Sequence, residues 1–139
     1  MDSVPIFVAG GIATGRMMAH LLMMGAAGIQ MGTRFVMSEE CKAHPDFKET
    51  FRKANARDAV ATPQFDSRLP VIPVRALKNK GTQAFGKLQL RIMQKLKDDA
   101  IDIQQAQYEV ENFWAGALKS AALEGDVEMG SLMAGQSVG

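Results

Sequence analysis

Residues 4–35 read VPIFVAGGIATGRMMAHLLMMGAAGIQMGTRF, and their pattern decides the fold class. Ile6 to Ala9 is a short, uninterrupted apolar run ending on Gly10 and Gly11, as expected of a parallel strand covered on both faces. Thr14 can cap a helix that starts near Gly15. Met18, Leu21 and Leu22 share one face of that helix, and Gly25 offers a C-terminal stop. A second strand, Ala27 to Met31, runs into Gly32 and Thr33. Strand, helix and strand within about thirty residues make a βαβ unit, because parallel strands need a crossover.

Both strands end in glycine, so backbone N–H groups at the carboxyl edge of the sheet are open to approach with no side chain in the way. Each turn also leads towards a helix whose first N–H groups and dipole favour an anion. One crossover separates Gly11 from Gly32, which makes the turns neighbours in space. In (β/α)8 barrels the loops after the seventh and eighth strands frequently build such a phosphate site. The Gly-Gly pair alone reads equally well as a tight turn. The second glycine turn at crossover spacing, with the Thr33 hydroxyl as a donor, favours phosphate binding. Arg34 either neutralises that phosphate or pairs with a carboxylate such as Glu39.

Outward from this unit the pattern turns helical. Ser38 can cap a helix over Glu39 to Lys42, and Pro45 suits the first turn of another in which Phe47, Phe51 and Ala54 share a face. Residues 59–78 carry three of the five prolines and read as short extended segments and turns outside the main sheet. After Gly81 come two periodic runs, Phe85, Leu88, Ile92, Leu96 and then Ala106, Val110, Phe113, Trp114, Ala117, Leu118, Ala121, the second ended by Gly125. The tail GDVEMGSLMAGQSVG is a glycine-rich loop leading into an apolar segment.

Composition excludes several functions. Sixteen basic and fifteen acidic residues leave a net charge of +1, so nothing points to nucleic acid or an anionic membrane surface. The single cysteine, Cys41, rules out an internal disulfide and a multi-cysteine metal site; flanked by Glu40 and Lys42 it reads as a bystander thiol in a reducing cytoplasm. No apolar run is long enough to span a membrane, and no metal-ligand spacing of His, Cys or carboxylates occurs. With 47% hydrophobic residues in 139, the chain can bury a core.

VPIFVAGGIATGR, AAGIQMGTRFVMSEEC, AHPDFKE, PVRALKN and GDVEMGSLMAGQSVG together resemble the carboxyl-terminal part of the nitronate monooxygenase family, formerly the 2-nitropropane dioxygenases. The related enoyl-acyl-carrier-protein reductase II flavoenzymes share the pattern. QMGTRF and the GSLMAGQ ending are its most selective pieces. The resemblance implies an α/β fold, the last strands of a (β/α)8 TIM barrel with a small inserted domain, and FMN as cofactor. It places Gly10 and Gly11 after the seventh strand and Gln30, Met31, Gly32 and Thr33 at the end of the eighth, around the FMN phosphate, with Gly135 and Gln136 approaching the flavin. Residues 1–58 would be the last β/α units, 59–81 part of the inserted domain, and 82–139 the closing helices and tail.

The resemblance also implies what this chain does not carry. The family's catalytic histidine or its equivalent sits on upstream strands; His20, on the crossover helix, and His44, before Pro45, read as structural. No catalytic or metal-binding residue is therefore assigned. A full barrel takes about 250 residues, so the expected partners are the remaining barrel units, from upstream chain or a second polypeptide, and self-association through open edges. The expected substrate is a nitronate or an enoyl thioester reduced through a nicotinamide cofactor. Two alternatives are a nucleotide-processing barrel of the inosine-monophosphate dehydrogenase type and a non-catalytic interaction module.

Overall fold

The structure, a computed structural model, describes residues 4–138. Residues 1–3 and 139, where the first and last of the expected segments begin and end, lie outside the described residues. The βαβ unit consists of β1 (Phe7–Ala9), α1 (Gly15–Met23) and β2 (Gly28–Gln30), with β1 and β2 parallel and Phe7 opposite Gly28. The Thr14 hydroxyl accepts the Met17 N–H at 3.2 Å and so satisfies one of the free donors at the start of α1. At the other end the N–H groups of Gly25 and Ala26 donate to the Leu22 and Leu21 carbonyls, which closes the helix at the expected stop.

This strand pair is not covered on both faces. Ile6 and Phe7 are each 67% exposed, and α1 contains no buried residue. Two strands and one helix are too few layers to enclose a sheet, so the apolar faces that periodicity identifies stay open within this chain.

The rest of the chain packs around two cores. Helix α2 (Thr33–Val36) is a single turn, and α3 (Pro45–Lys53) brings Phe47 and Phe51 into the first core with Ala59, Leu77, Ala121, Leu132 and Ala134. The helix expected over Glu39 to Lys42 is absent; residues 37–40 form turns. Four residues ahead of an X-Pro step cannot recover the cost of helix nucleation, and the Lys48 ammonium holds the Ser38 carbonyl at 2.7 Å.

Strands β3 (Ala59–Ala61) and β4 (Arg75–Leu77) pair antiparallel, forming a second sheet apart from the first. The loop between them is fastened to α4 (Lys80–Lys97) by the buried Gln89, whose amide donates to the Pro63 carbonyl and accepts the Phe65 N–H. Helix α4 packs Phe85 and Ile92 against Ala106 and Val110 of α5 (Ile103–Trp114), with Leu69 and Val71, as the second core.

The periodic run from Ala106 to Ala121 is two helices, not one. Gly116 adopts φ of 75° in the left-handed region and breaks the run between α5 and α6 (Ala117–Glu124). The break follows from packing: Ala106 and Val110 belong to the second core, whereas Ala121 belongs to the first, and one straight helix does not serve both.

The tail completes the fold. The Leu77 N–H donates to the Leu132 carbonyl at 3.0 Å and the Ala134 N–H to the Arg75 carbonyl at 3.1 Å, laying the tail along β4 through an antiparallel bridge between Ala76 and Met133. Asn79 caps α4 through the Thr82 N–H, and its amide donates to the Val127 and Gly130 carbonyls at 3.0 and 2.8 Å, fixing the loop that leads into the tail.

Phe51→Ala, in the centre of the first core, is expected to cost about 3–5 kcal/mol, whereas Leu90→Ala on the exposed face of α4 should stay within about 0.5 kcal/mol; urea midpoints compare the two. The Arg68 guanidinium, hydrogen-bonded to Asp66, holds that carboxyl down at about 2. A depressed folded-state value stabilises above the ordinary carboxylate range near pH 4. That contribution should fade as pH falls from about 4 and vanish below about 2. Arg68→Gln should flatten this part of the acid-unfolding curve.

Candidate functional site

The two glycine turns open onto a single cleft of about 650 Å³. Gly10, Gly11, Gln30, Met31, Gly32 and Thr33 all border it, brought together because β1 and β2 pair in register with Ala9 opposite Gln30. Phe47 of α3, Ala122 and Leu123 of α6, and residues 133–135 of the tail form the facing walls.

Gly10 and Gly11 have φ of 89° and 69°, a conformation that a residue with Cβ adopts only under strain. A Cβ on Gly10, Gly11 or Gly32 would meet nothing within 4 Å, so the space above each turn is open. Among the described residues, the N–H groups of Gly11, Gly32 and Thr33 make no hydrogen bond within the chain. They are therefore unpaired donors on residues that border the cleft. The helix behind the first turn, α1, spans nine residues, but α2 behind the second spans four and adds little dipole.

Charge in the cleft has one sign. Lys42 and Arg75 border it, and among the described residues no carboxylate does. Arg75 is anchored by one nitrogen, which donates to the Ala59 carbonyl at 2.7 Å. Arg34 lies elsewhere, in a neighbouring hollow with Thr14, Gly15 and Ser137, and its expected pairing with Glu39 is not among the ion pairs of the described residues. Thr33 is almost buried, and its hydroxyl oxygen accepts the Gly135 N–H at 2.8 Å.

Neither histidine borders the cleft. The His20 ring donates to the Arg16 carbonyl one turn earlier, and the His44 Nδ1 accepts the Asp46 N–H at the start of α3. Cys41, half-buried, does border it. Reading the sequence outward from the glycines does not find Lys42, Arg75 or Met133 at the site. The tail motif was the available signal for Met133, since it ends beside the glycine turns; the other two reach the cleft through long-range packing. Among the described residues no cluster of three or more His, Cys, Asp or Glu could hold a metal, and no helix is long and apolar enough to cross a membrane.

The sequence model of the family described as "NMO: Nitronate monooxygenase" matches residues 1–139. The chain is 28% identical over 137 residues to a protein of Bacillus subtilis (strain 168) named "Probable nitronate monooxygenase", covering 98% of this chain and 35% of that protein. A Staphylococcus saprophyticus protein of the same name is 29% identical over 136 residues, with 97% and 34% covered. The chain thus spans about a third of the length of the curated relatives it matches. Among solved structures, FabK from Thermotoga maritima superposes with a TM-score of 0.74 at 38% identity over 98% of this chain and 38% of that one. A single-substitution variant of FabK gives 0.65 at 34% identity over 98% and 34%.

Ala134→Pro removes the N–H that donates to Arg75 and should detach the tail from β4. Limited proteolysis is expected to cut the variant within residues 132–138 much faster than the parent chain, with the cores still protected; an unchanged cleavage pattern would deny the tail its role as a cleft wall.

Proposed function

Because the chain belongs to the nitronate monooxygenase family, whose members are oxidoreductases, we propose that it supplies the phosphate-holding part of an FMN-dependent (β/α)8 barrel enzyme. The observation that carries this reading is the pair of glycine turns, joined edge to edge by the β1–β2 register and opening with free N–H groups onto one cleft. Gly10, Gly11, Gly32 and Thr33 hold the phosphate, and Gln30 and Met31 lead the second strand towards the flavin. The donor set suits a dianion: uncharged N–H groups, a hydroxyl, and no carboxylate to repel it. Walls contributed by Phe47, Ala122, Leu123 and Met133 suit the apolar faces of a fused ring.

When bound, FMN supplies the redox chemistry. The residues of this chain anchor and orient; among the described residues the titratable side chains that border the cleft are Cys41, Lys42 and Arg75, and no histidine or carboxylate does. The remaining barrel units would cover the open faces of β1 and α1, supply the catalytic base, and select a nitronate or an enoyl thioester. The uncovered apolar faces would otherwise drive self-association. A cytoplasmic location goes with this reading.

The test is flavin titration, followed by fluorescence quenching, of this chain alone and joined to the upstream barrel of a family member. FMN should bind saturably to the completed barrel, and riboflavin, which lacks the phosphate, at least tenfold more weakly. Gly11→Val should abolish that preference for FMN by straining the turn and filling it. A completed barrel that folds and binds no flavin would overturn the assignment, and tighter purine-nucleotide than FMN binding would transfer it to the nucleotide-processing class.

A further inference from the structure

Thr33 has a side chain with one hydrogen to donate and two lone pairs to accept with. One lone pair takes the Gly135 N–H at 2.8 Å. Its hydrogen has no acceptor among the described residues, although the residue is only 7% exposed. A threonine inside a helix ordinarily donates to the carbonyl one turn back, as the Thr50 hydroxyl does to Asp46 at 2.8 Å. Thr33 opens α2, so it has no helical turn behind it, and it borders the cleft.

Gly135 stands at the point where the pieces meet. A Cβ there would lie 3.6 Å from the Thr33 hydroxyl oxygen, 3.7 Å from the Gly11 nitrogen and 3.8 Å from the Ser137 hydroxyl oxygen. Both glycine turns and the tail therefore converge within one van der Waals shell. The tail reaches this point because its pairing with β4 holds Leu132 to Ala134 in place immediately before it.

We infer that the Thr33 hydroxyl is a positioning group shared by two partners: it accepts the Gly135 N–H and donates its own hydrogen to an anion held by the glycine turns, so that anion binding and closure of the tail reinforce each other. The inference rests on the reading of the cleft as a flavin phosphate site. Donation to the anion polarises the hydroxyl and makes its oxygen a better acceptor, which tightens the hold on Gly135. Linkage makes the effect mutual, so a tail held closed must raise affinity for the anion. The phosphate is the part of the cofactor that matters here, and riboflavin, which lacks it, should leave the tail as it was.

The experiment is amide hydrogen exchange at Gly135, read by NMR on the full chain and on the completed barrel, without ligand and with FMN or riboflavin. Exchange in ligand-free Thr33→Val should be about fivefold faster than in the parent, the scale of one neutral hydrogen bond, and Thr33→Ser should restore parental protection. FMN should slow Gly135 exchange further in the parent and in Thr33→Ser, but not in Thr33→Val; riboflavin should have no such effect. Equal Gly135 exchange in the parent and Thr33→Val, or FMN binding that leaves this exchange unchanged, would overturn the shared-hydroxyl inference and leave the flavin assignment standing. Absence of FMN binding in every variant, completed barrel included, would overturn both.

Discussion

The backbone pairing of residues 132–135 is the constraint on which the arrangement of the cleft depends. Leu132 and Ala134 are paired with Leu77 and Arg75 in the second sheet, and one residue later Gly135 is bonded to Thr33 beside the first. The same segment sends Leu132 and Ala134 into the first core, next to Phe47 and Phe51. Hydrogen bonding and apolar burial therefore act on the same few residues, a combination that sets register more strongly than either alone. Asn79 fixes the approach to this segment by holding the Val127 and Gly130 carbonyls. Without these bonds, the cleft would lose the wall that residues 133–135 form beside Phe47, Ala122 and Leu123.

Burial is distributed unevenly, and the unevenness has a physical source. The elements from α3 onward bury their aromatic and branched side chains in two cores. The βαβ unit buries almost nothing, although its composition is the most apolar in the chain. Local forces still define it: the Thr14 cap, the C-terminal closure of α1 and the parallel ladder are satisfied within the unit. β1 carries apolar side chains on both faces, Phe7 and Ala9 on one and Val8 on the other, the pattern of a strand covered on both faces.

Local signals were legible in the sequence and long-range ones were not. Thr14, Gly25 and Pro45 act within one or two turns of themselves, and each sits where its backbone chemistry predicts. The six residues of the glycine turns lie along one cleft for a similar reason, since a single crossover fixes their spacing. The helix expected after Ser38 failed because capping says nothing about whether enough turns follow. The break at Gly116 was hidden because the apolar period continues through it, with the two halves serving different cores. Lys42 and Arg75 reach the cleft through packing that no local pattern encodes.

The lining of the cleft also separates binding from chemistry. An anion held by N–H groups needs donors without competing acceptors, and the turns meet that need because glycine leaves the backbone bare and the neighbouring side chains carry no carboxylate. A reaction that moves protons needs a titratable group with a tuned environment. Both histidines are instead committed to backbone partners outside the cleft, one on α1 and one at the start of α3. The strongly lowered carboxyls owe their shifts to exposed cations, Glu49 to Arg52 and Lys53 and Asp66 to Arg68, and are likewise absent from the lining. Among the described residues, the groups presented to the cleft thus favour the bound state of an anion, and the lining holds neither a histidine nor a carboxylate.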